Sequence, residues 1–137
     1  MSARKMTELT VSVKSQAGEL ARVLGLASQA GSNVIAFCGY ERASQEGGAE
    51  ILIVPDSADR AQAALEKAGY ACSANPVIAI GGAAGKGMGA RLAERFSKAS
   101  INILYSYASS SGAGQSTAIF RVEKPDAALK AIKSGIP

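Results

Sequence analysis

The sequence predicts an α+β fold made of two copies of one β-α-β-β-α-β unit. Strand-like alternation and helix-like spacing follow one another in that order from residue 8 to residue 75. The order restarts at Pro76. The two halves also match residue on residue. A shift of 69 places Gly18 on Gly87, Ala30 on Ala99, Asn33 on Asn102 and Val34 on Ile103. A shift of 67 places Asp59 on Asp126, Ala61 on Ala128 and Leu65 on Ile132.

Each element has a local reason. Residues 8–14 alternate, with Leu9, Val11 and Val13 on one face, which predicts a half-buried strand. The turn Ser15-Gln16-Ala17-Gly18 leads into a helix whose Leu20, Val23, Leu24 and Ala27 form one apolar stripe. Ala30-Gly31 ends that helix. Strands follow over 33–40 and 49–54, joined by the polar, Gly-rich stretch 42–48. Asp56 or Ser57 caps a second helix carrying Ala58, Ala61, Leu65 and Ala68, and residues 70–75 close the unit as a strand.

In the second copy, residues 76–80 are a strand and 81–87 a Gly-rich loop. A helix then presents Met88, Leu92, Phe96 and Ala99. Strands are expected over 101–108 and 116–123, and a helix over 125–133 with Pro125 in its first turn. The copy runs out at Gly135-Ile136-Pro137, so its last strand is missing or short. The units are read as residues 7–75 and 76–137. Each is expected to form an antiparallel sheet with both helices on one face. The incomplete second sheet points to a partner chain, most simply a homodimer.

Composition narrows the function. The 137 residues are 47% hydrophobic, enough for a core, and contain no His and no Trp. Without His the usual Ser or Cys triad cannot be built, and the commonest metal ligand is missing. No catalytic residue, metal or cofactor is therefore assigned, and the chain is read as not an enzyme. No apolar run approaches the ~20 residues of a membrane span. The first ten residues lack the apolar stretch of a secretory leader. Cys38 and Cys72 lack paired spacing and are read as reduced and buried, so a cytoplasmic location without membrane association is expected.

Charge is uneven. Residues 1–75 carry seven bases against eight acids, and residues 76–137 carry eight against three. A basic half can face an anionic partner, and a solvated cationic helix surface looks the same. The loop Gly81-x-x-x-Gly85-Lys86-Gly87 is one residue short of a P-loop and lacks the Ser or Thr after Lys. No basic–aromatic strand of the RNA-binding type occurs, so no nucleic-acid partner is expected.

With the elements in place, the chain resembles the ACT domains, twice over. The residues carrying the resemblance in the first copy are Leu9–Val13, Gln16-Ala17-Gly18-Glu19-Leu20, Ala30-Gly31-Ser32-Asn33-Val34 and Asp59–Tyr70. In the second they are Gly87-Met88, Ser100-Ile101-Asn102-Ile103 and Phe120–Pro125, with 103–108 similar to small stand-alone tandem ACT proteins. The resemblance implies a ferredoxin-like fold and a regulatory module that binds an amino acid or related small molecule where two ACT units meet. A partner enzyme is implied as well. An assembly module without a ligand of its own is the alternative.

Carried over to this chain, the resemblance implicates Gln16, Ala17, Gly18, Glu19, Leu20 and Asn33. In the second copy it implicates Gly85, Lys86, Gly87, Met88 and Asn102. The residue types suit a zwitterion. Helix N-terminal N–H groups take a carboxylate, and a Gly lets that backbone come close. An Asn amide both donates and accepts. Lys86 adds positive charge, so the second site is expected to hold an anionic group more strongly.

Overall fold

The computed structural model describes residues 1–43, 47–83, 85–111 and 114–134. The described residues form six strands and four helices. They are β1 (Ser2–Val13), α1 (Glu19–Gln29), β2 (Val34–Glu41), β3 (Ala49–Pro55) and α2 (Ala58–Lys67), followed by β4 (Ala71–Ala83), α3 (Met88–Lys98), β5 (Ile103–Ser110), β6 (Gln115–Val122) and α4 (Pro125–Lys133). Two compact units result. One is Thr7–Asn75; the other joins Met1–Met6 to Pro76–Pro137.

The Thr7–Asn75 unit has the strand order β2-β3-β1-β4. β1 pairs antiparallel with β3, Leu9 opposite Ile53 and Val11 opposite Ile51, and these four residues face the helices. Val23 and Ala27 of α1 and Ala61 and Leu65 of α2 close over them, all four fully buried. All four belong to the helical stripes read from the sequence, whereas Leu20, read into the first stripe, is exposed. Burying a Leu or Val side chain in such a cluster contributes about 1.5–3 kcal/mol.

The second unit has the order β1-β4-β6-β5, its first strand being residues 2–6. Ile78 lies opposite Phe120 and Ile80 opposite Ala118 across β4 and β6. Leu92, Phe96, Ala128 and Ile132 cover them from the helices. A Cβ built on Gly82 would come within 3.2 Å of the Met1 Cα, so the start of β1 runs against the end of β4. Ala3 is buried in this unit's core, and the Lys5 ammonium pairs with the Asp126 carboxylate at 2.8 Å. The sequence reading starts the first strand at residue 8. Residues 2–6 occupy the place where the second copy lacks a strand of its own. The expectation about Gly135-Ile136-Pro137 lies outside the described residues.

The repeat persists in detail. The ladder shifts register between Val34 and Ala36 in one copy and between Ile103 and Tyr105 in the other, 69 positions on. Gly31 ends α1 with φ at 82°, and Ser100 takes the same turn after α3 with φ at 56°. A side chain in that left-handed region costs about 1–2 kcal/mol. Ser100→Gly should therefore stabilise the protein by about 0.5–1 kcal/mol after the chain-entropy cost of Gly. Thermal melting measures it, and a lower melting temperature refutes it. Cys38 and Cys72 are both free and half-buried, and burial pushes the Cys72 thiol pKa up.

Candidate functional site

Three segments of the first unit converge on one open cleft of about 590 Å³. The end of β1 brings Ser12 and Val13, and the following turn brings Lys14, Gln16, Ala17 and Gly18. α1 adds Glu19 and Arg22, and the corner after α2 adds Ala68, Gly69 and Tyr70. Gly18 is the N-cap of α1 with φ at 93° and no side-chain cap bond. Only Gly takes that conformation freely, and the cap leaves the helix's first N–H groups unpaired by helix carbonyls. They meet the cations of Lys14 and Arg22 at the same cleft.

One anion stands among them, and it is already engaged. Glu19 Oε2 accepts from the Tyr70 hydroxyl at 2.7 Å, and Oε1 accepts from the Gln16 side-chain amide at 2.8 Å. The Arg22 guanidinium lies 5.7 Å from the centre of the Tyr70 ring. These contacts latch the β1–α1 turn to the corner after α2. The Tyr70 bond, then the Gln16 bond, hold the Glu19 carboxyl below its ordinary value; Arg22 and Lys14 act in the same direction. Burial first, and then the Glu19 bond, push the Tyr70 phenol up.

The sign of the pH effect follows. A carboxyl lowered on folding adds stability that is present above its unfolded pKa and is lost as pH falls through the folded one. Glu19→Gln should lower the melting temperature at pH 7 and leave it nearly unchanged at about pH 3. An equal decrease at both values would refute the latch.

The second unit carries a different cleft, about 400 Å³, lined by Gly85, Gly87, Met88, Gly89 and Leu92. Ala108, Ser109 and Ser110 of β5, with Ser116, Ala118 and Phe120 of β6, complete it. Gly87 caps α3 with φ at 78°, as Gly18 caps α1. The surroundings of the two caps differ. The first cleft lies between α1 and the end of α2, whereas the second lies between α3 and the β5–β6 strands. The first is lined by two cations, the second chiefly by apolar and small residues.

The sequence-derived candidates separate accordingly. Gln16, Ala17, Gly18 and Glu19 line the first cleft; Leu20, 40% exposed, stands beside them on α1 without lining it. Gly85, Gly87 and Met88 line the second. Lys86 does not line it, and its carbonyl accepts from Arg91 Nη1 at 2.8 Å. Of the two clefts beside the Gly caps, the first is the one lined by cations, Lys14 and Arg22.

Asn33 and Asn102 lie beyond the far ends of their helices. An 11-residue helix spans roughly 16 Å, which keeps each Asn from its Gly cap. Both serve corners. The Asn33 N–H donates to Asp56 Oδ1 at 2.8 Å, and its carbonyl accepts from the Asp56 N–H at 2.8 Å. Asn102 Nδ2 donates to Glu123 Oε1 at 3.3 Å, and its carbonyl accepts from the Glu123 N–H at 3.2 Å. Sequence reasoning missed Lys14, Arg22 and Tyr70 as site residues. Arg22 sits one helical turn beyond Gly18 and Lys14 opens the turn after β1, so both were within reach of a three-dimensional reading.

The family model described as an ACT domain pair matches residues 4–134. The chain belongs to this family. ACT domains are regulatory, ligand-binding modules, and solved structures of the same fold include such regulators. The crystal structure of protein BT0572 from Bacteroides thetaiotaomicron superposes with a TM-score of 0.81 at 19% identity, covering 96% of this chain and 89% of that one. The ligand-free regulatory subunit of aspartate kinase from Thermus thermophilus gives 0.70 at 17%, covering 99% and 96%. Aspartate kinase from Clostridium acetobutylicum, an allosteric enzyme, gives 0.58 at 15%, covering 97% of this chain and 32% of its own. No curated protein matches the sequence.

A pair of ACT domains accounts for the repeat. Among the described residues no group of three or more His, Cys, Asp or Glu is placed to hold a metal ion. Among the described residues no helix is long and apolar enough to cross a membrane.

Proposed function

We propose that this ACT pair is a non-catalytic regulatory protein that senses an amino acid in the first-unit cleft. The observation that carries the reading is the pairing of two cations, Lys14 and Arg22, with the uncapped start of α1 at Gly18. An α-carboxylate finds charge-assisted donors there. The ammonium is met by Glu19, whose oxygens each retain accepting capacity beside the bonds from Gln16 and Tyr70. A bound zwitterion would tighten the latch between the turn and the corner after α2. Regulation follows if a partner enzyme, or a second copy of the chain, prefers the tightened form.

Calorimetry and thermal shift against the twenty L-amino acids test this. Saturable, stereoselective binding is expected, and Lys14→Ala with Arg22→Ala should weaken it by more than about tenfold, in line with charged hydrogen bonds of ~1.5–3 kcal/mol each. No response to any of the twenty rejects it. The second reading, an assembly module without its own ligand, is favoured by exposed apolar residues on the outer strands. Phe37 is 50% and Tyr40 48% exposed on β2, and Leu104 is 50% exposed on β5. Self-association lost in Phe37→Ser with Leu104→Ser, in a protein deaf to amino acids, would support that reading.

A further inference from the structure

The internal repeat supplies its own control for surface chemistry. A position that the fold merely needs filled should carry similar residues in both copies. Leu26 and Gln29 of α1 correspond to Arg95 and Lys98 of α3, and Ala63 and Glu66 of α2 to Lys130 and Lys133 of α4. Leu26 is half-buried against its core, whereas Arg95 is exposed. Four cations thus stand in the last turns of α3 and α4 at positions where the first copy has none. A groove of about 420 Å³ opens between α3 and the end of α4. Ala131 and Ser134 line it on the α4 side, and Arg91, Arg95, Lys98 and Ala99 on the α3 side.

The acids nearby are already matched. Glu94, also in the groove wall, pairs with Lys98 at 3.1 Å, and Asp126 of α4 pairs with Lys5 at 2.8 Å. Arg91 commits Nη1 to the Lys86 carbonyl. Arg91, Arg95 and Lys98 follow i, i+4, i+7 spacing and so form one stripe roughly 10 Å long.

We propose that this groove docks an acidic segment of a partner protein, with carboxylates three or four residues apart. The charge is complementary, and Arg forks take carboxylates in paired hydrogen bonds. The small residues opposite let a peptide backbone approach closely. Nucleic acid, the other partner a basic surface recruits, is disfavoured because no aromatic ring lines the groove to stack a base. The surface is separate from the first-unit cleft and does not depend on an amino acid binding there.

The test is fluorescence anisotropy with the full chain. The probes are a labelled helical peptide of about sixteen residues with Glu at every third or fourth position, its Glu→Gln counterpart, and single- and double-stranded DNA of similar length. The Glu peptide should bind best. Arg95→Glu with Lys98→Glu should weaken it at least about tenfold, as expected for two lost and reversed charge pairs. Arg60→Glu with Lys67→Glu on α2 should change it less than about twofold. Both altered α3 residues are exposed, and the milder Arg95→Gln with Lys98→Gln, checked by circular dichroism, guards against a folding defect. No binding of the Glu peptide, equal losses in the α3 and α2 variants, or tighter binding of either DNA would overturn the proposal.

Discussion

Deleting residues 2–6, with Met1 kept ahead of Thr7, should destabilise the protein by about 3–5 kcal/mol. The estimate combines lost apolar burial with a few ladder hydrogen bonds worth about 1 kcal/mol each. It should act mainly on the unit built from residues 76–137. Ala3 sits in that unit's core with Ile78, Ile80 and Phe96, and Met1 packs against the same cluster. The deletion leaves the β4 edge from residue 76 onward without its neighbour on that side, and unpaired backbone N–H and C=O groups there must turn to water. The Lys5–Asp126 pair contributes little, since both side chains are exposed. The melting temperature should fall by about 10 °C or more. Hydrogen exchange should quicken in residues 77–83 and 116–122 before it does in residues 49–55. A shift under about 2 °C, or equal exchange in the three segments, would show that residues 2–6 are not a structural strand of this unit.

That strand is also where the sequence was least legible. Leu9, Val11 and Val13 announce their strand because three large apolar residues alternate with polar ones. In Ser2-Ala3-Arg4-Lys5-Met6 the only buried residue is Ala3, and Arg4 and Lys5 stand side by side. An outer strand with one small inward residue has almost no hydropathy period to detect. The sequence reading therefore found a unit short of a strand and looked for a second chain to supply it. Residues 2–6 fill that place, and the argument for a partner from the missing strand no longer applies.

The site divides along the same physical line. The Gly caps were legible because a strand, a short turn and a helix fix them locally, and Gly18 and Gly87 both have positive φ. Placing Asn33 and Asn102 beside those caps required knowing which end of each helix they occupy. Repeated motifs in sequence mark repeated corners, and corners at opposite ends of a helix look equally conspicuous on the page. The Glu19–Tyr70 latch joins residues 51 positions apart, which no local pattern reveals. The Leu26-to-Arg95 exchange was readable from the first alignment of the copies. Its meaning waited on knowing that one position is half-buried and the other exposed.

Phe96→Ala should cost about 3–5 kcal/mol, the range for emptying a buried aromatic site. Phe96 is fully buried, and its ring meets Phe120 at a centroid distance of 4.9 Å with the planes 53° apart. The copies divide their core volume differently at this point. The residue aligned with Phe96 is Ala27, also fully buried, and the first unit instead brings Leu24 and Leu26 against its cluster, where the second has Ala93 and Arg95. In the second unit Arg95 takes the place of Leu26 and leaves for solvent, so Phe96 has to fill the space between α3 and β6. Truncating it leaves a cavity that the adjoining Arg95, exposed on the surface, does not fill. The reciprocal change, Ala27→Phe, should overpack the first unit and cost about 1–3 kcal/mol. Denaturant titration of both variants, with exchange measured in residues 77–83 and 49–55, should place each defect in its own unit. If Phe96→Ala costs less than about 1 kcal/mol, the ring is not what holds α3 to its sheet.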